Sequence, residues 1–367
     1  MSQRDPDKCY LEVGENLHQG WLDIAVQRSI EQASAQFHVG MTETWPGEAN
    51  PIRVHPGDPC KVSLGDDLVI SGYVDVAELA HDAKSHTVFV SGRSKTQDVV
   101  DCSCDSSKSK PAHWTNRTVV QIAEDVCFPY NVGVTTDISD LQPVTPPYVA
   151  KVGDRAFDVI EQVCREQRLL VTDTPDGKLL LTRAGSQTGP MFLHPGNILA
   201  ASCRVDVSKR FTKIIVKAQT AGDDDNWGSS VAGVEDFVED LGVIKRYRLL
   251  VIRGEKAMNK ARAKARANWE AVTRAGRSCQ ISVTVPGWRD EHGKLYGVNQ
   301  VSWVADEVIG VDANLLSISA RYTLDASRNR ITQFDFAPPG AYEPELARAQ
   351  KAGGKAKVGL FRNASAF

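Results

Sequence analysis

The first hundred residues decide most of what this chain can become. Short segments rich in apolar residues follow one another at close intervals: Trp21 to Val26, Ala35 to Thr42, Lys61 to Leu64, Leu68 to Leu79 and Thr87 to Val90. A polar turn or short helix around Arg28 to Ser34, a tight Gly65-Asp66-Asp67 turn and a polar connection from His81 to His86 separate them. In Thr87-Val88-Phe89-Val90-Ser91 the β-branched and aromatic side chains cluster as a pleated, half-buried surface prefers. Strands spaced so closely point to a barrel or sandwich rather than a βαβ sheet.

The pattern changes at Asp101 to Pro111, a Ser/Lys-rich stretch read as a linker or loop. Two helices follow. Thr118-Val119-Val120-Gln121 has the form of a capping box, and Val119, Ile122, Ala123, Val126 and Cys127 behind it keep the spacing of one helical face until Pro129 stops it. The second helix opens after Gly153-Asp154, with Asp154 as expected N-cap and Ala156, Val159, Ile160, Val163 and Cys164 as its buried stripe. A hairpin comes next: Leu169 to Thr172 and Lys178 to Thr182 flank Pro175-Asp176-Gly177, where Pro presets one turn dihedral and Gly takes the positive φ.

A second β-rich stretch starts near Ile198, with strands expected at Phe211 to Ala218, Lys245 to Ile252, Ser278 to Val285, Gln300 to Val304, Leu315 to Tyr322 and Arg330 to Phe336. Asp223 to Asn226 reads as an acidic loop tip. The longest helix, Glu255 to Arg274, carries Met258, Ala261, Ala265, Trp269 and Val272 on the face expected to pack. The predicted class is α+β, mainly β. Two barrel-like β domains, 1–94 and 198–337 (with the long helix 255–274), bracket an inserted α+β module, 95–197. Residues 338–367, including Gly353-Gly354, are expected to form a flexible tail. The order β, α+β, β is what a duplicated β domain with an insertion would show.

Bulk composition narrows the function. The 367 residues are 42% hydrophobic and 24% charged, with net charge −3. The absence of a basic excess argues against a dedicated nucleic-acid reader or an acidic-membrane binder. The start, MSQRDPDKCYLEVG, has no apolar signal core, and no run approaches membrane-spanning length, so folding in a cytoplasm is expected. The eight cysteines (Cys9, Cys60, Cys102, Cys104, Cys127, Cys164, Cys203 and Cys279) are scattered and read as free structural thiols.

Catalytic signatures are missing: there is no G-x-S-x-G elbow, Walker A loop, H-E-x-x-H or G-x-G-x-x-G. His81 and His86, and Cys102-x-Cys104, lack the further ligands of a metal site, so no metal and no cofactor is expected. The acidic pairs Asp66/Asp67, Asp223 to Asp225, Glu235/Asp236 and Glu239/Asp240 fall in expected turns and loops. Lys256, Lys260 and Lys264, with Arg262 and Arg266, give the long helix a basic outer face, read as solvated. Pro286-Gly287-Trp288-Arg289-Asp290 and Gln300-Val301-Ser302-Trp303 carry residue types that anchor interfaces, equally compatible with a core role for the tryptophans.

Several segments together resemble a known family. Ile70-Ser71-Gly72-Tyr73-Val74-Asp75, followed by Val88-Phe89-Val90-Ser91-Gly92-Arg93-Ser94-Lys95-Thr96-Gln97-Asp98-Val99-Val100-Asp101-Cys102-Ser103, is similar to the hub proteins of Mu-like contractile phage tails. The similarity continues through Gln121-Ile122-Ala123, Phe157 to Thr182, Arg266 to Glu270, Val285 to Asp290 and Tyr322 to Asp325, and covers roughly residues 8–342. The resemblance implies a non-enzymatic virion part: a homotrimeric ring of pseudo-sixfold symmetry between the tail tube and a membrane-piercing spike. DNA would leave through its lumen without sequence-specific binding, and the part would be assembled in the host cytoplasm. It implies no catalytic residues, and makes Trp288, Arg289 and Trp303 candidates for subunit or spike contacts. The competing expectations are a tail-borne wall hydrolase, which needs paired carboxyl groups in a cleft, and a DNA-bound regulator, which needs a recognition helix.

Overall fold

The computed structural model describes residues 4–43, 54–81, 86–105, 112–144, 147–167, 169–218, 234–239, 246–253, 260–325 and 327–342. The expected acidic tip at 223–226, the helix start with Met258 and Lys256, and residues 343–367 of the expected tail, with Gly353-Gly354, lie outside these residues. The start of that tail is ordered rather than flexible: Pro339–Ala341 form a 3-10 turn with Ala341 buried, and the Tyr342 hydroxyl donates to Glu31 at 2.5 Å.

The first β unit contains β1 (Cys9–Val13), β2 (Asn16–His18), β3 (Asp23–Ser29), β4 (Gln36–Glu43), β5 (Pro59–Leu64), β6 (Asp67–His81) and β7 (His86–Ser94). The module follows with α1 (Gln97–Asp101), β8 (His113–Trp114), α2 (Val119–Cys127), β9 (Val134–Thr136), β10 (Tyr148–Val149), α3 (Ala156–Glu166), β11 (Leu170–Asp173) and β12 (Leu179–Thr182). The second unit has β13 (Gln187–Thr188), β14 (Phe192–His194), β15 (Ala200–Val205), β16 (Lys213–Ala218), β17 (Val234–Glu239), β18 (Leu249–Arg253), α4 (Lys260–Arg277), β19 (Cys279–Pro286), β20 (Gln300–Asp306), β21 (Val311–Leu324) and β22 (Arg330–Ala337).

The two β units belong to one fourteen-stranded sheet, ordered β15-β19-β22-β21-β3-β4-β7-β6-β5-β1-β2, with β20 on β21 and β13 and β14 on β20. The joint is antiparallel pairing of β21 with β3, Tyr322 opposite Val26. Six strands in each unit also pair in one pattern. The first runs β3-β4-β7-β6-β5-β1 and the second β15-β19-β22-β21-β20-β14, with the strands taken in the same chain order. The long strand of each unit carries an irregularity at the same place, Val74/Val76 in β6 and Ser317/Ser319 in β21. The copies differ in two respects. β1 runs antiparallel to β5 whereas β14 runs parallel to β20. In addition, β16–β18 and α4 sit between β15 and β19, where the first unit has only the turn from β3 to β4.

A shared core runs through both units: Phe37, Val39 and Val90 from the first, Ile281, Val283 and Phe334 from the second. Phe192, Tyr296, Phe334 and Phe336 form an aromatic cluster inside it, with ring centroids between 5.1 Å (Phe192–Phe334) and 6.1 Å (Phe192–Tyr296). The module has its own core, built from the two helical stripes read in the sequence and from Leu179 and Leu181 of the hairpin. The capping box is complete: the Thr118 hydroxyl accepts from Gln121 N–H and the Gln121 side chain accepts from Thr118 N–H. Gly177 sits at φ +81°, as the turn requires.

Three local expectations are corrected. Asp154 does not cap α3; its Oδ2 accepts from Lys151 N–H at 2.8 Å, within the turn that Gly153 closes at φ +91°, and Arg155 occupies the cap position without a side-chain bond to the helix's free N–H groups. On α4, Ala263 and Ala267 are buried against Ile214 and Val216 of β16, whereas Ala261 is exposed and Trp269 half-buried. Arg266 lies over the Trp269 ring at 4.8 Å and holds it on the helix flank. Finally, Glu235, Asp236 and Glu239 lie in strand β17 rather than in a loop.

Candidate assembly interface

The glycines of the long sequence motif make a close crossing. Gly72 of β6 lies opposite Ser94 of β7, and Val74 opposite Gly92. A Cβ on Gly72 would sit 1.8 Å from the Arg93 carbonyl oxygen, and one on Gly92 would sit 2.1 Å from that of Tyr73. Only bare backbone fits there. Beside the crossing, Arg93 bonds Asp75 through Nε at 2.8 Å and Asp101 of α1 through Nη1 and Nη2, at 3.2 and 2.8 Å. These carboxylates, Asp101 foremost, raise the Arg93 pKa above its ordinary value. A buried hydroxyl row, Ser34 to Ser94 (3.2 Å) to Thr96 (2.6 Å), closes the exit from β7 into α1. The motif therefore fixes how the module leaves the first unit.

A second anchor holds the module from its far end. Asp173, 1% exposed at the side chain, takes the Ala35 N–H on Oδ2 at 3.1 Å and pairs with Arg28 Nη2 through Oδ1 at 3.3 Å. Arg28 also donates to the Asp173 carbonyl at 2.5 Å, and the Thr172 hydroxyl donates to Ser29 O at 3.2 Å. Neither Arg28 nor Asp173 stands out in the sequence, where Arg28 lies in an expected turn and Asp173 just past an expected strand.

The three candidate contact residues separate. Trp288 is 2% exposed in the shared core, its Nε1–H donating to Thr323 O at 3.2 Å. Arg289 is turned inward: it bonds Leu64 O at 2.7 Å, Gly293 O at 3.2 Å and the Asp67 carboxylate, tying the β19–β20 connection to the β5–β6 turn. Trp303 is 39% exposed on β20. Its face continues into the neighbouring strand, where Leu193 lies opposite Ala305, and Met191 precedes that strand. Leu193 and Met191 are both exposed, so the outer face of β14 and β20 is apolar.

The remaining chemistry is quiet. All eight cysteines are free, and burial pushes the Cys9, Cys60, Cys127 and Cys279 thiols up to about 12. Among the described residues no group of three or more His, Cys, Asp or Glu side chains is placed to hold a metal ion. His81 ends β6, His86 begins β7, and the two positions lie opposite each other in the ladder. A shallow polar depression is lined by Tyr148, Lys151, Asp154 and Asp158, but Asp154 is engaged by Lys151 N–H and Asp158 is bonded twice by Arg155 at 2.9 Å. On α4, Lys260 and Lys264 are exposed, and Arg266 pairs with Glu270 at 2.9 Å.

Comparison with known proteins agrees with this architecture. Residues 8–94 match the family model of the Mu phage baseplate assembly protein GpP-like N-terminal domain. Residues 96–183 match that of the baseplate hub protein gp44-like second domain, and 259–345 that of the fourth domain of Mu GpP. The baseplate hub protein gp44 of Escherichia phage Mu is 28% identical over 314 residues, covering 84% of this chain and 79% of the phage protein. The 43 kDa tail protein of prophage MuSo2 from Shewanella oneidensis superimposes with a TM-score of 0.81 at 30% identity, covering 92% of this chain and all of the other. A likeness of fold alone, TM-score 0.55 at 11% identity over 92% of this chain and 80% of the other, extends to the E. coli c3393 protein. That protein is a type VI secretion component described as structurally similar to the T4 tail proteins gp27 and gp5. On the domain matches and the full-length structural match, this chain belongs to the family of phage Mu-type baseplate hub proteins.

Proposed function

We propose that this chain is a non-enzymatic ring subunit of a contractile tail, three copies of which close a pseudo-sixfold hub between the tail tube and the central spike. The observation that carries this reading is the repeated strand order of the two β units, which lie side by side in one sheet. Two like units in each of three chains make six, so such a ring can meet a sixfold tube on one side and a threefold spike on the other. Its interfaces would be permanent ones, typically burying about 2,000–5,000 Å². On the open face of the sheet the Asp335 carboxylate is partly screened by hydroxyls. Ser282 and Ser319 both donate to Asp335 at 2.6 Å. A face of this kind suits a lumen through which DNA passes on genome ejection without sequence-specific grip. The apolar outer face at Trp303, Leu193 and Met191 is the surface assigned to the spike or tube. Assembly takes place in the host cytoplasm before the particle is complete.

The test is native mass by light scattering after gel filtration, with and without the cognate spike protein. Three times 40.1 kDa, unchanged between low and high salt, is expected. A chain that stays monomeric in both conditions sinks the ring. Hydrolysis of purified peptidoglycan by the trimer would sink the non-enzymatic part.

A further inference from the structure

The ring reading leaves open which surfaces meet, and the internal repeat specifies them. Inside the chain the units are joined by the second half of β21, Ser319 to Thr323, lying against β3, while the first half of β21 pairs with β20. β6 is laid out in the same way. Its first half pairs with β5 as far as Tyr73, and one side of its second half pairs with β7. Among the described residues no strand covers the other side from Val76 to Ala80. The counterpart of β3 is β15, which among the described residues ends the sheet and pairs only with β19. Each chain thus contains one completed joint of the β21–β3 kind and the two unused halves of a second, on β6 and β15.

The repeat also sets the register. The row Val76, Ser91, His38, Ala25 across β6, β7, β4 and β3 corresponds to Ser319, Asp335, Ser282, Ser202 across β21, β22, β19 and β15. Burial agrees in phase: Ile24 and Val26 are buried, and their counterparts Ala201 and Cys203 are the less exposed residues of β15. Inside the chain, Ala320 opposes Arg28, Arg321 opposes Gln27 and Tyr322 opposes Val26. Carried over to the unused halves, this register sets Ala77 opposite Val205, Glu78 opposite Arg204 and Leu79 opposite Cys203.

Two independent features fit that transfer. The first is exposure. Tyr322, covered by β3, is 1% exposed, whereas its counterpart Leu79 is 71% exposed; Val76 and Val205 are exposed at 51% and 45%. The second is charge. Glu78 and Arg204 are both exposed and fall directly opposite each other, and the contact of Arg204 within the chain is a loose one, 3.9 Å to Asp206. Opposite charges in facing positions favour antiparallel pairing, and an open strand edge satisfies its backbone groups by taking a partner strand.

We infer that neighbouring copies join head to tail by antiparallel pairing of β6 of one with β15 of the next, Glu78 facing Arg204 and Leu79 facing Cys203. The contact is heterologous, as a closed ring requires. It continues one sheet through the seams and makes the joint between chains equivalent to the joint within each chain.

This inference rests on the ring reading, and the tests separate the two. In the full chain, Glu78→Arg and Arg204→Glu are each expected to weaken the trimer by about tenfold or more, read by light scattering across a dilution series, and the double reversal should restore it. Both positions are exposed, so thermal unfolding of each variant should match the wild type at a dilution where both are monomeric. A wild-type trimer that neither single reversal weakens, or that the double reversal fails to rescue, overturns this seam while leaving the ring. A wild type that never trimerises, alone or with the spike, overturns both. A second measurement fixes the register. With Cys102→Ser in the background, Leu79→Cys and a short bis-maleimide should link the introduced thiol to Cys203 of the next copy, each thiol adding across one maleimide double bond. Peptide mapping that places the link elsewhere overturns the register.

Discussion

Arg28 and Asp173 meet at 3.3 Å across the boundary between the first β unit and the module, and the carboxylate has almost no access to water. Removing one partner leaves a buried charge without its counterion. Asp173→Ala is expected to cost about 3–5 kcal/mol, read by urea unfolding. Asp173→Asn keeps an oxygen for the Ala35 N–H and should cost less. A loss below about 1 kcal/mol for the alanine variant would show that water replaces the pair and that the anchor lies elsewhere.

The glycine crossing predicts a sharp contrast. Gly72→Ala drives a methyl group into the Arg93 carbonyl and should abolish soluble folded protein or cost more than about 4 kcal/mol. Gly57→Ala meets nothing within 4 Å, and its cost is confined to the backbone at φ +94°, about 1–2 kcal/mol. Equal losses in the two variants, by thermal unfolding, would refute the steric account.

The two tryptophans should behave oppositely. Trp288→Ala empties a core site and is expected to cost about 3–5 kcal/mol in chemical denaturation. Trp303→Ala should change unfolding by less than about 1 kcal/mol. Its effect should appear instead as weaker binding to the spike or the tube. A strongly destabilised Trp303→Ala monomer would remove that surface from consideration.

His18 supplies a pH dependence. Burial lowers its pKa, and Nε2 has no hydrogen-bond partner among the described residues. A base whose folded-state pKa is depressed binds its proton less readily in the folded chain than in the unfolded one. The stability it contributes is therefore complete above the ordinary histidine value near 6.5 and is lost as pH falls through the folded-state midpoint. Ring-proton NMR should place that midpoint below 6.5, and His18→Gln should flatten the stability profile between about pH 5 and 7. A midpoint at or above the ordinary value would contradict the burial argument.

What the sequence made legible was local. The Thr118 capping box, the turn at Pro175-Asp176-Gly177 and the apolar stripes of α2 and α3 each depend on residues within one or two turns of chain, and the structure has them as read. Longer-range matters were not legible. Alanine occupies 261, 263, 265 and 267 of α4, so either face satisfied the spacing of small residues. Only contact with Ile214 and Val216 selects 263 and 267. Trp288 and Trp303 carry the same residue type near strand ends, and their different burial follows from sheet register. The Arg28–Asp173 pair spans 145 positions and has no local signature.

The excursion between β15 and β19 imposes a timetable on synthesis. β3 meets β4 across a short turn, so the first unit can zip up while the rest of the chain is still on the ribosome; closing so short a loop costs little. β15 must wait until α4 has emerged and β19 has followed it. A fragment released before that point carries a finished first unit and a second one in which only β16 to β18 can pair. If β15 is where the next copy docks, a truncated subunit still presents β6 but has no formed β15 to receive its neighbour. The placement of the insertion would then reserve ring closure for complete chains, since only they carry both halves of the seam.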